Sequence, residues 1–378
     1  MALRVLYLIN DFGKGGAQRY LIDLCTELLN RSELDFRIGT LFEDNQYLDL
    51  TSNLPVENLS YSTFSLLRKT KNLPYKKLLE TFKPHIIHTH LYLSEFLSSF
   101  YPDQNIKYVC HCHDNMVQFD NMSFNTLFYR KKLLGFIEKQ YLIYHKYNKT
   151  KTFFVANSKH TEQYFKKRLP GNVKKNVILM YYGFNYYRFY DKTPKRLDVT
   201  KPIRILNVGS FQDKKNQIFL IAIAKELKSH KIHFEMNLIG DGENFNNIQK
   251  AIIENELESE IFLRGIIDNV EMWYKSNDIY LHTAWYEPFG LVFLEAMAAG
   301  VPVITLDGKG NRDIIENGKN GFLIEQQDEV VFSNTVKKLI QNPDLYSNIS
   351  DYAKKYAMKF DAKIKIQELV DFYYSIEL

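Results

Sequence analysis

Trp285-Tyr-Glu287-Pro288-Phe289-Gly290-Leu291-Val-Phe-Leu-Glu295-Ala-Met-Ala-Ala-Gly300-Val-Pro302-Val-Ile304 decides how the chain is read. An apolar run, Asp278-Ile-Tyr-Leu-His-Thr283, precedes it and Val301-Pro-Val-Ile-Thr305 closes it, and both have the composition of buried parallel strands. The middle is therefore predicted as a turn and a short helix. Pro288 suits a helix opening, where its missing N–H would be orphaned anyway, and Gly290 lets the backbone approach a neighbour closely. Leu291 to Ala299 is apolar, small on one side and closed by Gly300, which predicts tight packing on a sheet. Glu295 breaks that pattern, because a carboxylate inside an apolar helix needs hydrogen-bond donors. Glu287 stands just before the same helix, whose exposed N–H groups favour anions, so it also suits a cap or a dipole partner. Two carboxylates that can accept hydroxyls, beside a cradle for phosphate, fit a nucleotide sugar.

With seven residues between Glu287 and Glu295, Phe-Gly-Leu among them and Gly300-Val-Pro-Val behind, the run resembles the E-x7-E signature of retaining glycosyltransferases of family four, group 1 type. The resemblance implies an α/β chain of GT-B fold, with two Rossmann-like domains facing across a cleft. The implied division is an acceptor domain at 1–195, a nucleotide-sugar donor domain at 196–358, and a C-terminal helix at 359–378 that crosses back to the first domain. The implied reaction moves a hexosyl unit from a nucleotide diphosphate sugar, most often a UDP-sugar, to a glycan or lipid-linked saccharide, as in bacterial polysaccharide biosynthesis. Anomeric configuration is retained, and neither a metal nor another cofactor is obligatory. Glu287 would grip sugar hydroxyls and Glu295 the ribose diol, with Phe289, Gly290 and Leu291 as further donor-binding candidates. The carboxylates do not make a hydrolase, since hydrolases place such a pair on either side of one glycosidic bond.

Length agrees with two domains: 378 residues exceed one ordinary core. Apolar residues at 45% and charged ones at 25% are globular proportions. No stretch of about 18 uncharged apolar residues is present, and Met1 leads directly into a strand pattern without the marks of a signal peptide. A cytoplasmic protein is expected, or one held on the inner face of the plasma membrane. Cys25, Cys110 and Cys112 are too few and too unevenly spaced for a disulfide framework. Residues 1–199 carry 29 Lys and Arg against 18 Asp and Glu, whereas the remainder carries 20 against 26. A basic first half implies an anionic surface as partner. Nucleic acid is not among the partners the resemblance implies.

In chain order, Leu3 to Asn10 reads as a buried strand, followed by Gly13-Lys-Gly15-Gly16 and an amphipathic helix through Leu29. The glycines do not fit G-x-G-x-x-G, so a nicotinamide dehydrogenase is disfavoured. By resemblance Gly15 and Gly16 lie against the donor pyrophosphate, and Gln18, Arg19 and His90 are acceptor-side candidates. Further strands are predicted at 36–42, 86–90 and 108–113, alternating with helices as in a parallel sheet. On the last of these Cys110 and Cys112 share one face and His111 and His113 the other, with no C-x-x-C partner, so no metal site is expected. His113 stands at a strand's carboxyl end, where open α/β sheets bind ligands, and the resemblance assigns it a catalytic place at the donor sugar's reacting face. Between 127 and 147 a helical pattern interleaves Arg130, Lys131, Lys132 and Lys139 with Leu, Phe and Tyr, the composition of a helix lying on an anionic membrane. Tyr182 stands where the family usually has Asn.

The polar stretch Asp191 to Lys201 is the predicted linker. Beyond it, Val208-Gly209-Ser210-Phe-Gln-Asp-Lys214-Lys215 resembles the family's pyrophosphate turn. Lys215 matches the catalytic lysine that clamps phosphate, but Ser210 replaces an arginine, and Lys214 or Arg312 is the candidate substitute. Two other readings stay open on the sequence: a nucleotide-sugar epimerase of the same architecture, and a non-catalytic membrane-associated partner.

Overall fold

The computed structural model describes residues 2–61, 73–121 and 129–377, with the side chains of Arg130 and Lys131 outside the description. A further basic run in the sequence, Arg68-Lys-Thr-Lys71, lies outside the described residues. Two compact units result: Met1–Gly183 with Ala362–Leu378, and Phe184–Asp361.

The first unit is built on a parallel sheet of seven strands: β1 (Leu3–Ile9), β2 (Leu34–Thr40), β3 (Val56–Asn58), β4 (Ile86–His90), β5 (Lys107–Cys112), β6 (Lys151–Ala156) and β7 (Val177–Leu179). Their order is β3-β2-β1-β4-β5-β6-β7, so strand order reverses beside β1. β1, β4 and β5 are almost wholly buried, as strands covered on both faces are; β1 is a nearly continuous Leu, Val, Tyr and Ile run, whereas β4 and β5 also bury His88, Thr89, His90, Cys110, His111 and Cys112. The C-terminal helix Ala362–Glu377 belongs to this unit. It is fastened by Tyr373 to Tyr7 (hydroxyls 3.1 Å apart), by Arg31 Nη1 donating to Gln367 Oε1 (2.6 Å) and by Tyr374 donating to the Glu33 carbonyl (3.1 Å).

The basic stretch becomes a helix, Arg130–Leu142, that passes into a π-helical turn, Ile143–Tyr147. Two of its cations point inward. Lys146 is fully buried, with Nζ 2.7 Å from Glu95 Oε1 and 2.6 Å from Ser98 Oγ. Tyr147 and Thr89 donate to the same carboxylate, so a buried charge pair has its remaining lone pairs satisfied. Lys139, expected on a membrane-facing surface, is also buried and donates to the Phe119 carbonyl (2.8 Å) and to Asn121 Oδ1 (3.0 Å). Helical periodicity cannot distinguish a lysine that finds acceptors beneath it from one that faces water. Among the described residues, no helix is long and apolar enough to cross a membrane.

The second unit holds a parallel sheet of six strands: β8 (Ile203–Val208), β9 (Phe234–Ile239), β10 (Ile261–Gly265), β11 (Ile279–His282), β12 (Val303–Leu306) and β13 (Gly321–Ile324). Their order, β10-β9-β8-β11-β12-β13, reverses between β8 and β11. Crevices at such reversals, beyond the strands' carboxyl ends, are where open α/β sheets take ligands. The polar stretch 191–201 lies within this unit. Lys195 donates to the carbonyls of Lys275 and Asn277, and Lys354 to that of Thr193 (2.7 Å).

Candidate active site

In the second unit, the chain leaving β11 carries Glu287 to the start of the helix Leu291–Ala298. Gly290 caps that helix at φ +99°, and a Cβ there would lie 2.2 Å from the Phe293 ring, so only glycine fits. No side chain caps the first turn, which leaves the N–H groups around Leu291 available to an anion. A second loop, Gly308-Lys309-Gly310, clamps Glu287 by its backbone: Glu287 N–H donates to the Gly308 carbonyl (2.8 Å) and Gly310 N–H to the Glu287 carbonyl (3.1 Å). A Cβ on Gly310 would meet the Pro288 carbonyl oxygen at 1.9 Å, so this clamp also requires glycine.

Glu287 and Lys215 meet. Lys215 Nζ lies 2.5 Å from Glu287 Oε2, and His282 Nε2 lies 3.2 Å from the same oxygen. Burial alone would raise the Glu287 pKa, but the Lys215 ammonium and His282 outweigh it and hold the carboxyl at about 2. The turn bearing Lys215 is fastened to the strand end by Thr283 Oγ1 donating to the Lys215 carbonyl (3.3 Å) and by Trp285 Nε1 donating to the Asp213 carbonyl (3.0 Å). Asn216 takes the left-handed conformation there (φ +53°), which Asn tolerates better than most residues. Glu295 accepts from the Tyr274 hydroxyl (2.8 Å), the donor its apolar helix called for. Phe289 is buried and Ser210 exposed at the end of β8. Arg312, a candidate substitute for the missing arginine, is committed to Asp307 through Nε and Nη2. Lys214 lies over the Tyr286 ring, 6.0 Å from its centroid.

In the first unit, Gly15 and Gly16 open the helix Gly16–Leu28, again without a side-chain cap. Gln18 Nε2 donates to Asp11 Oδ1 (3.2 Å), and Arg19 Nε pairs with Asp23 (3.0 Å). His113 and His90 lie together in a buried array that spacing along one strand could not reveal. Across β4 and β5, His88 Nε2 faces His111 Nδ1 (3.2 Å) and His90 Nδ1 faces His113 Nε2 (2.7 Å). Along each strand the rings stack, His88 on His90 with centroids 4.5 Å apart and His111 on His113 at 4.6 Å. Tyr373 closes one row at His88 Nδ1 (2.5 Å) and Tyr182 the other at His113 Nδ1 (2.5 Å). His90 is therefore not open to an acceptor in this state. Burial holds His88, His90 and His111 well below the ordinary imidazole range, with neighbouring histidines adding to the effect, and holds His113 at about 3. Three of these rings, His88, His90 and His111, come nearest to a metal-binding set, their ligand atoms within 4.8 Å of one another. Tetrahedral zinc with nitrogens at 2.0–2.1 Å needs them about 3.4 Å apart. In addition, the rows spend ring nitrogens on each other, so the array is better described as hydrogen-bonded than as a ligand shell.

Comparison with known proteins agrees with this geometry. A family model described as Glycosyltransferase Family 4 matches residues 14–184, and one described as Glycosyl transferases group 1 matches residues 190–356. The chain is a glycosyltransferase of the group 1, family 4 type. Poly(glycerol-phosphate) alpha-glucosyltransferase of Bacillus subtilis is 29% identical over 44% of this chain and 27% of its own length. An uncharacterised glycosyltransferase of Methanocaldococcus jannaschii is 28% identical over 52% and 53%. The chain thus spans about a quarter to a half of these curated relatives. The solved structure of Anabaena HepE in complex with UDP and glucose superposes with a TM-score of 0.78 at 20% identity, over 99% of this chain and 100% of that one. Two parallel-sheet Rossmann-like units and this superposition make the fold of the group 1 glycosyltransferase GT-B.

Proposed function

We propose that the protein transfers a hexosyl unit from a UDP-sugar to a glycan or lipid-linked saccharide with retention of anomeric configuration. The observation that carries this reading is the buried Lys215–Glu287 pair at the uncapped start of the helix Leu291–Ala298. A diphosphate drawn to that helix start would take Lys215 as its cation and release Glu287 to accept sugar hydroxyls. Glu295, which accepts from Tyr274, would take the ribose diol as a further donor of hydrogen bonds. Gly16 supports a close phosphate approach, since a Cβ there would meet nothing within 4 Å and the fold itself does not require glycine. Within the second unit Ser210 and Phe289 would contact the donor; within the first, Gln18 and Arg19 would contact the acceptor and His113 the sugar. UDP is favoured because it accompanies the HepE neighbour. Charge developing on the leaving phosphate would be held by Lys215 and the helix N–H groups, a preorganised electrostatic role.

The test is a melting-temperature panel of nucleoside diphosphates and their sugars in EDTA, with NAD as control, followed by 1H NMR of slow donor hydrolysis. A bound ligand raises the melting point according to its affinity and concentration. A UDP-sugar is expected to give the largest rise and to release the α-anomer first; a response to NAD alone, or a β-anomer first, would overturn the reading.

Peripheral attachment to an anionic membrane belongs to the same proposal. On the helix Arg130–Leu142 and its flanks, Tyr129, Leu134, Ile137 and Tyr144 are 49% to 66% exposed, with Lys132 over the Tyr129 ring and Lys149 over that of Tyr144. Such aromatic and cationic interleaving suits headgroups, each cation there contributing about 1 kcal/mol. Combining Lys132→Glu with Leu134→Asp and Ile137→Asp is expected to lower co-sedimentation with phosphatidylglycerol vesicles at least tenfold; unchanged sedimentation would make this face an ordinary solvated one.

A further inference from the structure

Open α/β sheets take their ligands beyond the carboxyl ends of the strands, and the first unit has a groove at the other end, among the strands' amino ends. It consists of two cavities of about 1090 and 440 Å³ that share Asn148 and Lys149. Arg4 of β1 lines it, His85 and Ile106 immediately precede β4 and β5, Lys151 opens β6, and Asn176 immediately precedes β7. These five strands are consecutive in the sheet, so at about 4.8 Å per step the groove crosses about 19 Å. Its charge is one-sided. Arg4, Lys76, Lys83, Lys149, Lys151 and Lys175 line it, against Glu80 and Asp103. Glu80 pairs with Lys76 (3.6 Å), and Asp103 accepts from the Asn105 backbone N–H (2.8 Å) and Nδ2 (3.0 Å). Lys83, Lys149, Lys151 and Lys175 are exposed and form no ion pair among the described residues.

The walls decide what kind of anion fits. An exposed ion pair contributes little singly, so one phosphate would be held weakly, whereas a chain that meets several cations at once gains from each without a new cost of association. Attachment to a bilayer needs apolar groups that enter the headgroup layer, and single-stranded nucleic acid needs rings on which bases stack. The groove offers neither: Leu79, Tyr101, Ile106, Tyr147 and Val173 along it are half-buried or buried, whereas Leu134, Ile137 and Tyr144 stand out from the helix face described above. We propose that the groove is a docking surface for a linear, base-free polyanion, a chain of repeating phosphate or carboxylate groups laid across the strand entries. This goes beyond the transfer reaction and does not depend on which donor is used. It gives the basic first half of the sequence a partner of defined shape.

The test is fluorescence anisotropy of labelled inorganic polyphosphate and labelled polygalacturonate with the full chain, alongside inorganic phosphate, labelled oligothymidylate and phosphatidylglycerol vesicles. Binding of either polyanion supports the proposal, and the tighter of the two identifies the repeating group. Affinity should fall with salt along a log–log slope of roughly −3, as about four neutralised charges on a flexible chain require. Combining Lys83→Glu, Lys151→Glu and Lys175→Glu should weaken polyanion binding at least about tenfold at an unchanged melting temperature. Lys225→Glu, Lys337→Glu and Lys355→Glu together, at exposed positions of the second unit, change net charge equally and should leave the affinity within about twofold. Equal weakening by the two triple variants would reduce the effect to net charge and overturn the proposal. It would also be overturned by a wild type that binds neither polyanion, by displacement with inorganic phosphate at equal phosphate concentration, or by tighter binding of oligothymidylate. A groove variant that keeps the polyanion but loses the vesicles would assign the surface to a membrane instead.

Discussion

Lys215→Ala is expected to lower kcat by two to three orders of magnitude, the usual cost of losing one preorganised donor to a developing oxyanion. It is also expected to lower stability. The ammonium is 16% exposed and its Glu287 partner 9%, so the substitution strands a carboxylate in a site where burial already disfavours charge. Breaking one side of a buried pair costs about 3–5 kcal/mol. His282, 3.2 Å from the same oxygen, can relieve part of that loss. Burial lowers its pKa first and foremost and Lys215 lowers it further, whereas Glu287 raises it, so removing Lys215 should let His282 take a proton more readily. The stability deficit of Lys215→Ala should therefore shrink as pH falls from 8 to 6. Lys215→Met combined with Glu287→Gln should recover most of the melting temperature but none of the turnover. Full recovery of activity in the double variant would mean that the pair is structural only.

The histidine array predicts an unusual response to acid. Four imidazoles are held neutral in the folded first unit, while each would titrate near 6.5 in the unfolded chain. Below that value the unfolded chain binds protons that the folded one refuses, so stability is fully present above about pH 6.5 and is lost as pH falls toward the depressed folded values. Each ring contributes up to about 1.4 kcal/mol per pH unit, and four together as much as about 5 kcal/mol per unit. Over the roughly 1.5 units from pH 6.5 to 5 that amounts to at most about 8 kcal/mol, comparable with a typical total of about 5–15 kcal/mol, so the first unit should be strongly destabilised by pH 5. Glu287 behaves differently: with a folded pKa of about 2, its contribution is lost only below the unfolded carboxylate range near 4.3. Melting temperatures from pH 8 to 5, with amide exchange to locate the opening, check this. A level melting temperature down to pH 5, or opening confined to β8 and β11, would contradict it.

Part of each sheet could be read from the sequence because strands such as β1, β11 and β12 are nearly continuous apolar runs, and β11, β12 and the helix between them fall where the opening stretch predicted. Lys215 and Glu287 were legible as residues, but their pairing across 72 positions was not. The clamp on Glu287 was hidden because Gly308 and Gly310 look like an ordinary turn; a glycine on each side of Lys309, just after a strand, was the available signal. The array was hidden for a different reason. His90 lies opposite His111 only through the parallel register of β4 and β5, and Tyr182 and Tyr373 reach it from 69 and 285 positions away. Lys139 was misread as a surface charge because the acceptor beneath it, the Phe119 carbonyl, belongs to a distant segment.

On the proposed function, UDP binds in the second unit on Lys215 and the uncapped start of the helix Leu291–Ala298. Titration calorimetry of UDP in EDTA, with wild type and Lys215→Ala side by side, tests it most directly. A 1:1 complex with the wild type is expected, with affinity at least tenfold weaker in the variant and no heat from NAD. UDP binding that is indifferent to Lys215, or none to the wild type, would contradict it.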